Sequence, residues 1–357
     1  MPKKNSLYHA RKLIDFIKNN SSRLKPLTIL THDHPDPDAL ASAWALAHLA
    51  QHLANIRSKI VYGGIIGRAE NRIMAGRLEI PASPLKVGEM KASAHLALID
   101  TQPPFKNNRC PPNRKPALII DHHPKHPDTQ ADCALIDESS GATTTILAEA
   151  LLLAQVPVPK RLATAIVYGI GSETQNLGRE AGRRDIEAYQ EFWPKANMQI
   201  LWKIAYPKHS ADFFTSLLSA LQNAFICRNV IGTHLGEMRT PDRPAQIADF
   251  LLTHERMEWS IVTGRYQGKL LISIRSSSPA AGAGKLLRRL LGGGNRGGGH
   301  AMIAGGSVDI GNAASEMTWR LAENKLVSDF LESQGLKDAP IKMAPFHLAK
   351  SLRKNQS

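Results

Sequence analysis

The chain has 357 residues, 43% of them hydrophobic and 21% charged, which is the balance of a globular protein with room for two domains and excludes a fibrous, collagenous or disordered polymer. Its formal net charge of +14, from 45 Lys and Arg against 31 Asp and Glu, favours polyanionic partners such as nucleotides or nucleic acid. Three cysteines, Cys110, Cys133 and Cys227, contain no CxxC pair, which leaves neither a disulfide framework nor a structural zinc site.

Residues 1–25 form a basic N-terminal helix or arm with seven basic side chains and one acidic. Its apolar run LIDFI is too short for a signal sequence, and no later run reaches the ~18 apolar residues of a membrane span. A cytoplasmic setting without a membrane partner is therefore expected. LTILT (Leu27–Thr31) reads as a strand, followed by a helix over about Asp38–Ala54 with Leu40, Trp44, Ala47 and Ala50 at helical spacing. KIVYGG, HLALID (95–100) and ALIIDHH (117–123) are further strand-like runs. GATTTILAEALLLAQ (141–155) reads as a helix that Ser140 or a nearby Thr caps, and the helix in 161–175 is expected to break at its glycines. Strands alternating with helices predict βαβ units and a mainly parallel, doubly wound sheet over residues 26–179.

Residues 180–224 read as a helical connector with a proline break, and 225–335 as a smaller α/β domain opening with alternating strands. That part includes a glycine-rich loop, LGGGNRGGGHAMIAGG, and a closing helix over about 313–335. Residues 336–357 have little pattern and are expected to form a tail.

Three polar clusters, THDHPDPD, IDTQ and IDHHP, directly follow apolar strand candidates. Ligands of an open parallel sheet bind outside the carboxyl ends of its strands. If the three strands are neighbours, His32, Asp36, Asp38, Asp100, Asp121, His122 and His123 share one rim. So much carboxylate and imidazole in one place is costly without a cation. Oxygen and nitrogen donors without thiolate favour Mn²⁺ or Mg²⁺ before zinc, and two ions about 3.5–4 Å apart bridged by one carboxylate suit phosphoryl transfer. In the first cluster, Pro35 and Pro37 stiffen the path between ligands, and Asp38 also opens the following helix.

HDHPDPDA, LIDTQ and IDHH resemble the first three motifs of the DHH family of phosphoesterases. Gly297–His300 (GGGH), with SIRSS upstream, resembles the DHH-associated C-terminal domain, so the likeness spans roughly residues 26–310. The resemblance implies that His32 and Asp36 hold one metal, Asp38 and His122 the other, and that Asp100 bridges the two. It implies two divalent ions, Mn²⁺ first and Mg²⁺ next. Asp121 would orient a ligand and His123 would face the phosphate. The fourth motif, GIGSET, places Glu173 where the family usually has aspartate, which keeps the charge and adds one methylene. The glycines Gly297, Gly298 and Gly299 would let backbone approach an anion. Arg275 would grip a phosphate or carboxylate bidentately, and His300 would contact the nucleotide.

The function implied is a two-metal hydrolase of short RNA or small nucleotides. It is most similar to the nanoRNases that also remove the 3′-phosphate of 3′,5′-bisphosphoadenosine, with a homodimer as one arrangement. RecJ-type single-strand DNA exonucleases and cyclic-dinucleotide phosphodiesterases are alternatives, while family II pyrophosphatases lack the GGGH ending. A nucleotide- or RNA-binding protein that has lost catalysis is the alternative of another class.

Overall fold

The computed structural model describes residues 7–92, 95–293, 297–299 and 301–346. Two compact units divide the chain, Met1–Lys208 and His209–Ser357, so the connector segment 180–224 is shared between them.

The first unit contains α1 (Tyr8–Asn19), β1 (Leu27–Thr31), α2 (Pro37–Ala54), β2 (Ser58–Tyr62), α3 (Ala69–Leu78), β3 (Ala82–Pro84) and α4 (Glu89–Ala92). Then follow β4 (His95–Ile99), β5 (Leu118–Asp121), β6 (Cys133–Ile136), α5 (Thr143–Leu153), α6 (Lys160–Glu173), α7 (Arg183–Phe192) and α8 (Met198–Ala205). The six strands pair in parallel in the order β3-β2-β1-β4-β5-β6. Alternate side chains serve opposite faces of the sheet, as a strand's two-residue period requires. Leu27, Ile29, Ala97, Ile99, Leu118 and Ile120 join the core under the helices. Leu30, Leu96, Leu98 and Ile119 join a smaller cluster with Met90 of α4 and Cys110.

The register sets up the site. Thr31 pairs with Ile99 and Ile99 with Ile120, so β1, β4 and β5 end level with one another. The strand order reverses between β1 and β4, and such a switch point leaves a crevice at the strands' carboxyl ends.

Helix α6 runs unbroken through Gly169 and Gly171, contrary to the break expected there. At Gly169 the glycine serves proximity rather than a turn. A Cβ would lie 2.8 Å from Thr144 Oγ1 and 2.9 Å from the Ala41 Cβ, so α6 lies tightly against α2 and α5.

The second unit contains α9 (Ala211–Gln222), β7 (Phe225–Cys227), β8 (Val230–Glu237), α10 (Arg243–Leu251), β9 (Trp259–Tyr266) and β10 (Lys269–Ser276). It continues with α11 (Ala283–Leu290), β11 (Gly297–Gly299), β12 (Ile303–Asp309), α12 (Glu316–Ser333) and β13 (Lys342–Met343). Its sheet order is β11-β12-β10-β9-β8-β7-β13, with β8 and β9 parallel and the other pairs antiparallel. Trp259, Ile261, Ile272, Ile274, Leu287 and Phe330 pack on one side, and Ile231, Ile247, Leu251 and Val262 on the other. Two residues of the expected patternless tail, Lys342 and Met343, pair with Ile226 and Phe225. This pairing uses backbone groups, which leave no mark in a side-chain pattern. Among the described residues no helix is long and apolar enough to cross a membrane, and all three cysteines are free thiols.

Candidate metal centre

Each of the three level strands releases its ligands in the next residues: His32 after β1, Asp100 after β4, and His122 and His123 after β5. Asp100 is buried and lies in the left-handed region at φ 58°, a conformation that Asp tolerates better than most residues and that recurs at functional sites. Its amide still reaches the Ile120 carbonyl at 2.9 Å, so the turn away from the sheet begins at once.

Asp100 stands between two histidines. His32 Nε2 lies 3.6 Å from its Oδ2, and His122 Nε2 lies 3.6 Å from its Oδ1. His32 Nε2 is also 3.7 Å from Asp36 Oδ2. Both rings have their other nitrogen engaged by a carbonyl: His32 Nδ1 bonds Asp33 O at 2.9 Å and His122 Nδ1 bonds Ser140 O at 3.2 Å. With Nδ1 directed at a carbonyl, Nε2 is the ring nitrogen turned toward the carboxylates and placed to bind a metal. Separations of 3.6–3.7 Å exceed a hydrogen bond. They are close to the spacing of two ligands on one ion, about 3.0–3.4 Å for bonds of roughly 2.1 Å. Among the described residues, His32–Asp36–Asp100 and Asp100–His122–His123 are the two sets of ligand atoms close enough to hold an ion, with Asp100 in both. Donor chemistry and spacing thus fit a metal centre, with Asp100 common to both sets.

Asp36 and Asp38 divide their duties differently from the expectation. Asp36 is the N-cap of α2, accepting from Ala39 N at 2.9 Å, and Pro37 occupies the first helical position, where a missing N–H costs nothing. Asp38, fully buried, caps another helix: its Oδ2 and Oδ1 accept the amides of Thr143 and Thr144, each at 2.8 Å. It therefore replaces the Ser or Thr cap expected for α5, whose N-cap residue is Ala142. Asp38 Oδ2 is also 3.9 Å from His122 Nε2, so it borders the second ligand set. Glu173, the last residue of α6, stands near enough to Asp36, His122 and Asp100 for their charges to act on its carboxyl.

Asp121 faces His123. Its Oδ1 accepts from His123 Nδ1 at 2.8 Å, and its Oδ2 accepts from Gln102 Nε2 at 2.7 Å. Gln102, fully buried, also takes the His126 amide at 2.8 Å and the Thr129 hydroxyl at 2.7 Å. It thus ties the loop after β4 to the loop after β5. Gln102, Ser140 and Thr143, whose hydroxyl donates to Asp100 Oδ1 at 2.8 Å, support the site without having been singled out from the sequence as its partners. The motif IDTQ held Gln102 in plain view, but its partners lie about twenty residues away, beyond any local pattern.

The electrostatics record a surplus of buried carboxylate. Burial, with Asp100 and Asp36 nearby, pushes the Asp38 carboxyl well above its usual range. Burial also raises Asp100, against the pull of His123, and raises Glu173 together with Asp36. Although burial opposes charge on His32, Asp36 and Asp100 raise it to about 9. Despite the same opposition, Asp121 and Asp100 raise His123 to about 10. Divalent cations are the ordinary means of satisfying such a cluster.

The second unit holds the remaining expected residues. Gly297, Gly298 and Gly299 form an edge strand paired with Gly306, Gly305 and Ala304, not the loop expected. Gly299 has φ 140°, and a Cβ there would come within 2.1 Å of the Ile303 carbonyl. Arg275 is buried at 5% exposure, with an ion pair to Asp249 and hydrogen bonds to Ser273 Oγ at 2.7 Å and Ile274 O at 3.0 Å. Its guanidinium fastens the sheet, and a bidentate grip on an anion would compete with that fastening. His300 and the Asn295–Arg296 interruption lie outside the described residues.

Residues 26–170 match the model of the DHH family, N-terminal domain, and residues 228–323 match the DHHA1 domain. An uncharacterized protein of Methanocaldococcus jannaschii is 32% identical over 326 residues, which cover 90% of this chain and 66% of that protein's length. An exopolyphosphatase-related protein from Bacteroides fragilis has a solved structure similar in fold, with a TM-score of 0.70 over 93% of this chain and 100% of that one, at 14% identity.

Proposed function

This chain belongs to the DHH family, and on that premise we propose that it is a metal-dependent phosphoesterase. Its proposed substrates are short oligoribonucleotides, 3′-phosphorylated adenosine nucleotides, or both. The observation that carries the reading is Asp100, each of whose oxygens faces the Nε2 of a different histidine. Bound there, Mn²⁺ or Mg²⁺ would supply Lewis-acid charge and a water of lowered pKa. His32, Asp36 and Asp100 would hold one ion, and Asp100, His122 and Asp38 the other, with Glu173 alongside.

The protein's own groups account for the remaining steps. Asp121 holds the Nδ1 face of His123, and the charged ring that results favours an anionic phosphoryl group beside it. Gln102 keeps Asp121 in place, which limits the reorganisation needed as charge develops. The positive net charge of the chain supports a polyanionic substrate.

The test is an assay of the purified protein with Mn²⁺ or Mg²⁺ against di- to pentaribonucleotides and 3′,5′-bisphosphoadenosine. Single-stranded DNA, cyclic dinucleotides and pyrophosphate complete the panel. Release of mononucleotide or phosphate, lost in Asp100→Ala and His122→Ala, is expected. Binding without turnover across the whole panel would sink the enzyme reading in favour of a nucleotide-binding protein. For Glu173, activity is expected to fall far more in Glu173→Ala than in Glu173→Asp; equal, wild-type rates in both would remove it from the metal shell.

A further inference from the structure

One buried cation has no part in the chemistry described so far. Arg179 lies in the loop that leaves α6, where Gln175, Asn176, Leu177 and Glu180 all have positive φ, between 47° and 67°. The loop folds back on itself through the Arg179 amide, which reaches the Thr174 carbonyl at 2.9 Å. It also packs on the turn beneath His122: a Cβ on Gly141 would come within 2.7 Å of the Glu180 carbonyl. Asp185, at the start of α7, secures that turn by accepting the Gly141 amide at 3.0 Å and the Thr145 hydroxyl at 2.6 Å. A strained loop is thus fixed against the segment whose Ser140 carbonyl orients a metal-site histidine.

Within this loop Arg179 is only 6% exposed. Its Nη2 donates to the Glu173 carbonyl at 2.8 Å, while its buried Nε–H has no hydrogen-bond partner. Among the described residues it makes no ion pair. The other buried arginines differ: Arg243 pairs with Asp212 and Arg275 with Asp249. The Glu173 carboxyl is near enough to feel the Arg179 charge, but a buried guanidinium N–H without an acceptor is costly all the same. The cost is understandable if the missing acceptor is a ligand oxygen. The guanidinium stands beside Glu173, whose carboxyl feels Arg179 together with Asp36, His122 and Asp100, and so lies at the edge of the centre.

We propose that Arg179 is the anion contact of the metal centre, a guanidinium that hydrogen-bonds the phosphoryl oxygens of substrate and of the released phosphate or phosphomonoester. This assignment rests on the phosphoesterase reading above and moves the role expected of Arg275 to Arg179. The planar fork suits two oxygens of one phosphoryl group, and the charge offsets negative charge that the carboxylates would otherwise repel.

The experiment is calorimetry of inorganic phosphate and of adenosine 5′-monophosphate binding to Mn²⁺-loaded wild type, Arg179→Lys, Arg179→Gln and, as control, Arg320→Gln. Arg179→Gln is expected to weaken both anions by about 30-fold, the worth of a charged hydrogen bond, with Arg179→Lys partly restoring them. Mn²⁺ affinity, titrated separately, is expected to stay within about threefold of wild type, since the residue contacts the anion and not the ion. Wild-type phosphate affinity in Arg179→Gln overturns the proposal, as does a loss of Mn²⁺ binding that accounts for the whole effect. Should Arg179→Gln fail to fold, crystals of the wild type with Mn²⁺ and phosphate decide. An anion oxygen within about 3.2 Å of the guanidinium supports the assignment, and phosphate held without Arg179 overturns it. Arg179-dependent phosphate binding in a protein that hydrolyses nothing in the panel would uphold this site while removing the catalytic reading.

Discussion

At the scale of the residue, the centre is built from side chains whose second atom is already committed. The two histidines give Nδ1 to carbonyls, Asp36 gives one oxygen to a helix amide, and Asp38 gives both to another helix. Their stiffness is the reward, and crowded negative charge is the cost. Asp100→Asn keeps the shape and removes one buried charge. It is expected to abolish Mn²⁺-dependent turnover by about a thousandfold or more, given the several kcal/mol a metal ion contributes. Metal-free Asp100→Asn is nevertheless expected to melt at or above the metal-free wild type, measured by calorimetry at neutral pH; a clearly lower melting temperature would refute the electrostatic account. The convergence of the histidines and aspartates was legible because a motif records residue types at fixed spacing. The partners Ser140 and Gln102 were not, because their hydrogen bonds join segments that only the fold brings together.

At the scale of the element, glycine punctuation misled where packing overrides local preference. Gly169 was expected to end a helix and instead lets α6 approach α2 and α5. In an open helix Gly→Ala stabilises by about 1 kcal/mol. Here Gly169→Ala is expected to destabilise by roughly 1–3 kcal/mol, the cost of overpacking, read from the denaturation midpoint. A second element-level device ties α1, α5 and α7 to the end of β6. Arg184 pairs with Asp137 and Glu149, and His9 reaches Asp137 at 3.1 Å. Burial works against the Asp137 carboxylate, but hydrogen bonds from His9, Ser139 and Arg184 hold it well below the usual range. A depressed pKa contributes stability that is present above the unfolded value, about 3.9, and is lost as pH falls toward the folded one. Arg184→Gln is therefore expected to cost about 3–5 kcal/mol at neutral pH, with the gap to wild type narrowing below about pH 4. A gap independent of pH in urea titrations would argue against this assignment.

At the scale of the whole molecule, each unit has its own core and sheet, and among the described residues the candidate metal ligands lie in the first. Two unfolding transitions are expected in calorimetry. Chelation should lower only one of them, because an ion at about 100 times its Kd contributes roughly 2.7 kcal/mol to the unit that binds it. A chelator that moved both equally, or neither, would contradict the placement of the site. The alternation of strands and helices made the parallel sheet of the first unit legible, including the convergence of three strand ends. The sequence carried no comparable signal for the second unit's edge strands: three glycines and the pair Lys342–Met343 join the sheet by backbone bonds alone.

The clasp that Asp185 makes on Gly141 and Thr145 bears on the order in which the protein matures on the ribosome. Every candidate ligand from His32 to His123 emerges before residue 185, yet part of what secures the turn that orients His122 comes from beyond them. A nascent chain carrying all the candidate ligands of the first three motifs would therefore still lack part of the fastening that orients one of them.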